Sequence, residues 1–358
     1  MFFFRKKLQI IYKFFISQLF KVIYGKVVFS NKNDKDVKFI EISKDNLKYK
    51  FAEIDNGRIF TDYVENVAII NKNQILDHVS YQQVKGELKE PFLNVVVKKG
   101  TPKFKKRYKG KVFSLIQGAS GNNNYFHWMF DVLPRLIILE KVYKLNEIDY
   151  FYSPQIKPWQ LSSLSIFDIS EERLINSNHF RHIHADKILA VSHPWYNKGR
   201  ILDEAKKLPT WIINEIGLKF EKYGKKFECN DKIFIDRRES PFNHCQIIND
   251  EEIKTHLKKK GFTIYRVGEL NFFEQIYLFQ NAKIIIGAHG AAFANLIFCK
   301  PNTKVLDIIP ENHPNSVDET IANFKNLDFK FIKTKELLTE KKTNGDIFLP
   351  MGVIDGFL

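Results

Sequence analysis

Two clusters in this sequence have residue types and spacing suited to chemistry. In Asn122-Asn-Asn124-Tyr-Phe-His127-Trp-Met-Phe-Asp131-Val-Leu-Pro-Arg135, the histidine, aspartate and arginine recur every fourth residue. On a helix they share one face. An imidazole supported by a carboxylate is a usable general base, and Arg135 could orient that carboxylate or reach a phosphate. Spacing leaves open whether Asp131 or His127 takes the proton.

The second cluster is Ile284-Ile-Ile-Gly287-Ala-His289-Gly290-Ala291-Ala-Phe-Ala-Asn295. It reads as an apolar strand running through a glycine turn into a helix. Backbone N–H groups at such a helix start, with the positive end of its dipole, suit a diphosphate. Gly290 permits close backbone approach, and His289 could donate to a phosphate oxygen or a leaving group. Arg237 and Arg238 follow another apolar run, and Asn249 opens the next helical stretch. Their guanidinium and amide groups could converge on the same anion, for which arginine is well suited. The pattern is neither G-x-G-x-x-G nor a P-loop, which argues against a dinucleotide dehydrogenase, a sugar epimerase or a kinase.

Metal chemistry is not expected. His127 and Asp131 could supply two ligands, but no third is evident, and the D-x-D match Asp34-Lys-Asp36 falls in a polar stretch. Phosphate charge would fall to arginines and helix ends, with neither metal nor cofactor. The two clusters together suit displacement of a nucleoside diphosphate: one holds the leaving group, the other presents a base to an acceptor hydroxyl.

The elements that must position these residues are clearest beyond Asp231. Strands KIFID (232–236), FTIYRV (262–267), AKIIIG (282–287) and KVLDII (304–309) alternate with helices over 250–260, 272–281 and 291–298. This rhythm predicts a parallel, doubly wound α/β sheet with ligands at the carboxyl ends of its strands. Upstream, KVFSLIQ (111–117) reads as a buried strand entering a Gly/Asn loop, then a helix to about Tyr143 kinked by Pro134. Asn122, Asn123 and Asn124 are candidate N-caps. Short strands are expected at 67–70, 93–97, 149–152 and 187–191, and 31–50 reads as a linker.

The chain has 358 residues, 44% hydrophobic and 27% charged, too much core material for a disordered protein and long enough for about two domains. Three dispersed cysteines fit no disulfide framework or zinc knuckle and suit a reducing compartment. Net charge +15 implies anionic partners. Residues 1–29 interleave Phe4, Leu8, Ile11, Phe15, Leu19 and Val22 with Arg5, Lys6, Lys7, Lys13, Lys21 and Lys26. That pattern predicts a basic amphipathic helix lying on an anionic membrane or packed on the protein's own core, neither a signal peptide nor a spanning helix.

The blocks NNNYFHWMFDVLPRL (122–136), FIDRRES (234–240), the Asn249 run, LNFFEQIYLFQNAKIIIGAHGAAFANLIF (270–298) and VLDIIP resemble glycosyltransferase family 61, in order, over roughly 110–330. Asp250 follows Asn249 where the family commonly has Glu, and His244 lies in that loop. The resemblance implies a GT-B-like fold of two Rossmann-like lobes, inversion at the anomeric carbon and a nucleotide-sugar donor on the C-terminal lobe; a uridine-based donor is the expected partner. The resemblance assigns Arg237, Arg238, His289 and Gly290 to the donor side and His127, Asp131 and Arg135 to the N-terminal motif. It also suggests a ribose contact for Asp307. Asn124, Asn249, Gly287, Ala291 and Asn295 complete the expected substrate contacts.

The expected organisation is a membrane-associating segment (1–30), an acceptor-side lobe (31–225), a donor-binding lobe (226–335) and a tail (336–358). The resemblance associates the acceptor with cell-surface glycans such as capsule, exopolysaccharide or lipopolysaccharide, free or lipid-linked, and residues 1–29 would hold the enzyme at the cytoplasmic face of a membrane. Rival readings are a non-catalytic basic module on membrane or nucleic acid, whose binding would be steeply salt-dependent, and another nucleotide-dependent sugar enzyme. No nucleic-acid-binding motif is visible, and no nucleic acid partner is expected.

Overall fold

The computed structural model describes the chain except residues 1, 30–35, 63–65, 85–86, 117–123, 196–198, 201–206, 239–244, 312, 314–316 and 338–344. It forms two compact units, Met1–Glu204 and Ala205–Leu358. The division precedes the helix Thr210–Phe220, which the sequence reading placed in the first lobe.

The first unit is built on a mixed sheet, ten strands among the described residues. Lys106–Ser114 lies at its centre, parallel to both His182–Val191 and Tyr150–Ser153, and Leu174–Asn176 extends this parallel half. The other half is antiparallel, through Arg58–Thr61, Val67–Asn71 and the hairpin of Val37–Lys44 with Leu47–Asp55. The expected Rossmann-like lobe is therefore only partly parallel here.

That hairpin corrects the linker reading over 37–50, and residues 31–35 lie outside the described residues. Val37-Lys-Phe-Ile-Glu-Ile-Ser-Lys alternates because one face is solvated, and Asp45 and Asn46 turn the chain with φ of 47° and 64°. The expected strand at 93–97 is instead a short helix, Val95–Lys99, capped by Asn94.

Helix Phe2–Tyr24 forms as its periodicity predicts. Its end is anchored within the first unit: Phe20 is buried against Phe104, and Tyr24 packs edge-on to His182 and accepts from the Lys105 N–H. Further back, Leu8, Ile11, Phe14, Phe15 and Leu19 are exposed. No helix among the described residues is long and apolar enough to cross a membrane.

The second unit carries a wholly parallel sheet in the order Thr263–Tyr265, Lys232–Ile235, Ile284–Ala288, Lys304–Pro310, Asp328–Thr334. Numbered along the chain, that order is 2-1-3-4-5, so the chain reverses its winding between Lys232–Ile235 and Ile284–Ala288. Arg237 follows the first of these strands and His289 the second. Within the expected tail, Ile347, Leu349, Ile354 and Phe357 are buried with Ile253, Leu257, Ile286 and Leu306.

Candidate active site

In the first unit, one continuous helical segment presents the site. Asn124 caps it, its Oδ1 accepting from the N–H groups of Phe126 (2.9 Å) and His127 (3.4 Å). Tyr125–His127 is α-helical, Trp128–Val132 widens to a π-helix, and Leu133–Leu139 returns to α. Pro134 has no N–H for the carbonyl four residues back, and the chain absorbs this as a wide turn with Leu133 N–H on the Trp128 carbonyl.

The turn delivers Asp131 into the interior with no exposed surface. His127 Nδ1 lies 2.8 Å from its Oδ2, Trp195 Nε1 donates to its Oδ1 at 2.7 Å, and His193 Nε2 stands 3.6 Å from Oδ2. Burial alone would raise the Asp131 pKa, but His127 and His193 outweigh it and hold the carboxyl well below the usual range. Burial drives His193 down to about 4 despite Asp131, so this ring is neutral near pH 7. His127 keeps some exposure, and its Nε2 bonds to no described residue. The arrangement can accept a proton at Nε2 while the ionised Asp131 stabilises the imidazolium that forms.

In the second unit, Arg237 and the His289–Gly290 turn meet at the carboxyl ends of neighbouring strands. A Cβ on Gly290 would lie 2.6 Å from Arg237 Cζ. The Gly290 backbone is extended, with φ of 171°, so glycine is needed there for room alone. The residues after it, Ala291–Phe298, form the expected helix, of 3₁₀ type, whose first N–H groups have no partner within the helix.

His289 Nδ1 is 3.2 Å from Asp307 Oδ2 and 3.2 Å from Asp318 Oδ2. Burial would lower its pKa, but Asp307 and then Asp318 raise it to about 10. These three residues bring ligand atoms within 4.8 Å, the one such grouping among the described residues. A cation there would have to displace the Nδ1 proton. Beside this turn lies a cavity of about 260 Å³, lined by Asp236, Arg237, Arg238, Gln246, Asp250 and Ala288.

The sequence model of glycosyltransferase family 61 matches residues 125–306, just over half the chain, and spans both clusters. The chain belongs to glycosyltransferase family 61. It is similar to a beta-1,2-xylosyltransferase of Arabidopsis thaliana, 29% identical over 97 residues, covering 24% of this chain and 18% of that protein. It is also similar to the beta-1,2-xylosyltransferase RCN11 of Oryza sativa subsp. japonica, 36% identical over 63 residues, covering 18% of this chain and 12% of that protein. The chain thus spans under a fifth of the length of either relative. Both are plant enzymes.

Within this family 61 protein, several expected substrate contacts have other work. Arg135 is buried and donates to the Leu115 carbonyl. Asn124 serves as a cap. Both polar atoms of the Asn249 side chain engage the backbone of Leu349 and pin the C-terminal segment. Asn295 is buried and bonds Gln275 and the Ala292 carbonyl. Gly287 lies in the strand, where a Cβ would come within 2.9 Å of Ile235 Cβ.

Asp307 is buried against His289. Arg238 faces carboxylates, with Glu251 at 2.8 Å and Asp236 at 3.1 Å, although it lines the cavity. Candidate caps Asn122 and Asn123, and His244, lie outside the described residues. His193, Trp195 and Asp318 were missed by sequence reasoning. His193-Pro-Trp195 just past a strand was the available signal, whereas Asp318 had none, since only folding brings it to His289.

Proposed function

We propose that this family 61 glycosyltransferase is inverting and metal-independent, with a GT-B-like division of labour: the second unit holds a nucleotide-sugar donor, and the first supplies the base. The carrying observation is the His127 ring, fixed through Nδ1 on an ionised, fully buried Asp131, with Nε2 bonded to no described residue. Of the two candidate bases this favours His127, because a carboxyl held so far below its usual range is a poor proton acceptor.

In the proposed reaction, His127 Nε2 takes the proton of an acceptor hydroxyl as its oxygen attacks the anomeric carbon. The bond from that carbon to the diphosphate oxygen breaks, and the nucleoside diphosphate leaves with the electron pair. One displacement inverts the anomeric centre. Arg237 and His289 would offset the charge developing on the leaving group, aided by the N–H groups at Gly290 and Ala291. This cationic pair supports the reading without metal.

The plant relatives' names make a pentose, xylose, the first donor sugar to test. A uridine diphosphate carrier and a hydroxyl of a cell-surface glycan, of the bacterial capsular kind or lipid-linked, complete the proposal. The basic helix with its exposed Leu8, Ile11, Phe14 and Phe15 favours peripheral contact with an anionic membrane, at its cytoplasmic face.

The test is a thermal-shift panel of nucleoside diphosphates, followed by transfer assays with the corresponding nucleotide sugars, with and without a chelator. A diphosphate at 100 times its Kd should add about 2.7 kcal/mol of stability. No shift with any diphosphate, together with no hydrolysis or transfer from any nucleotide sugar, would sink the proposal.

A further inference from the structure

Building on the donor-binding reading of the second unit, we propose that Asp318, acting with Asp307, is a positioning residue that keeps His289 doubly protonated, so the ring meets the donor diphosphate as a fixed cation. The two histidine clusters of this chain have opposite charge stoichiometry. In the first unit, His127 and Trp195 bond a single carboxylate, Asp131, and His193 Nε2 stands 3.6 Å from it. In the second, two carboxylates converge on a single Nδ1 at the same distance of 3.2 Å. A neutral ring with one Nδ1–H would bring no positive charge to the two buried carboxylates, Asp307 and Asp318, that reach its Nδ1. An imidazolium supplies that charge and leaves its Nε2–H, bonded to no described residue, to donate.

The groups that face this ring come from separate elements. Asp307 lies within strand Lys304–Pro310, and Asp318 opens helix Asp318–Lys325, where the helix dipole favours its negative charge. The His313 ring lies 4.5 Å from that of His289, and Arg237 acts electrostatically on Asp307. Burial raises the Asp307 pKa, and the imidazolium and Arg237 pull against that rise. The carboxylates act through the ring and need not touch the substrate.

The experiment is a histidine NMR titration of the full chain from pH 6 to 9.5, with His289 assigned by comparison with His289→Gln. The expected wild-type result is an imidazolium signature for His289 that persists through pH 8.5. Asp318→Asn and Asp307→Asn should each move its midpoint below pH 8. Calorimetry with inorganic pyrophosphate at pH 6.5 and 8.5 provides the second arm, read as the ratio of variant to wild-type affinity so that ionisation of pyrophosphate cancels. Losing a charge-assisted hydrogen bond should make that ratio fall about tenfold between the two pH values in Asp318→Asn.

A neutral wild-type ring at pH 7.5 overturns the inference, even if neither variant folds. Stabilisation by Mn²⁺ that is lost in Asp318→Asn overturns it in favour of a metal centre. A charged ring with equal pyrophosphate affinity in wild type and His289→Gln overturns the donor-side role instead and leaves the protonation assignment standing.

Discussion

Trp195 Nε1 donates to Asp131 Oδ1 at 2.7 Å across 64 residues of chain, so the segment after strand His182–Val191 helps to hold the carboxylate that orients His127. Trp195→Phe keeps the ring but removes the donor. A buried carboxylate oxygen without its partner costs about 1–3 kcal/mol, which denaturant unfolding should register as a lower midpoint. An unchanged midpoint would mean that the indole is not bonded in solution.

Removal of the proposed base should act on turnover and spare donor binding. His127→Ala is expected to lower kcat by about 10²–10⁴, and Asp131→Asn by at least about 10², with thermal shifts by nucleoside diphosphate unchanged in both. Equal loss of diphosphate binding would place His127 on the donor and contradict the assigned division.

Gly290→Ala places a methyl group where the Arg237 guanidinium lies. The arginine end can swing away and the backbone is unstrained, so stability should change by less than about 1 kcal/mol. Pyrophosphate affinity should fall about tenfold or more, because a charge-assisted contact is displaced. Calorimetry on Gly290→Ala beside Arg237→Ala checks this: the two losses should not add, since both act through one guanidinium.

The two units should respond to pH in opposite directions. His193 and His182 are held at about 4, chiefly by burial, below their unfolded value of 6.5. The unfolded chain therefore binds more protons between those values, and stability from these groups is lost as pH falls from about 6.5 towards 4, at most about 3 kcal/mol each. His289 is raised to about 10, so its contribution is complete below 6.5 and is lost as pH climbs towards 10. His193→Gln should flatten the acid limb of the melting curve and His289→Gln the alkaline limb. Unchanged limbs would refute both assignments.

Asn249→Ala tests a residue whose sequence position suggested a phosphate contact. Its amide instead bonds the Leu349 backbone twice, at 2.9 and 3.0 Å. We expect a loss of about 1–3 kcal/mol in stability with pyrophosphate affinity within twofold of wild type. The reverse pattern would restore Asn249 to the donor site.

The parallel sheet of the second unit was legible because each buried strand is a run of apolar residues closed by a turn, as in Lys232–Ile235 and Ile284–Ala288. The hairpin at 37–55 was not, because a half-solvated sheet face spends its polar residues where a linker would. The mixed first sheet also hid its central pairing: Lys106–Ser114 meets His182–Val191 across a long separation that no local pattern encodes.

By itself the sequence determined which groups lie four apart on a helix, as with His127 and Asp131, and which residues end the strands, as with Arg237 and His289. Those facts are local, set by helical pitch and by the turn that follows a buried strand. Only the tertiary structure decided that Arg135 is buried, that Asn295 and Asn249 brace other elements, and that His193, Trp195 and Asp318 join the sites. The physical reason is that protonation depends on how many opposite charges reach a ring or carboxylate through space. Trp195 and His193 beside Asp131, and the two carboxylates on His289, come from chain segments that the sequence keeps apart.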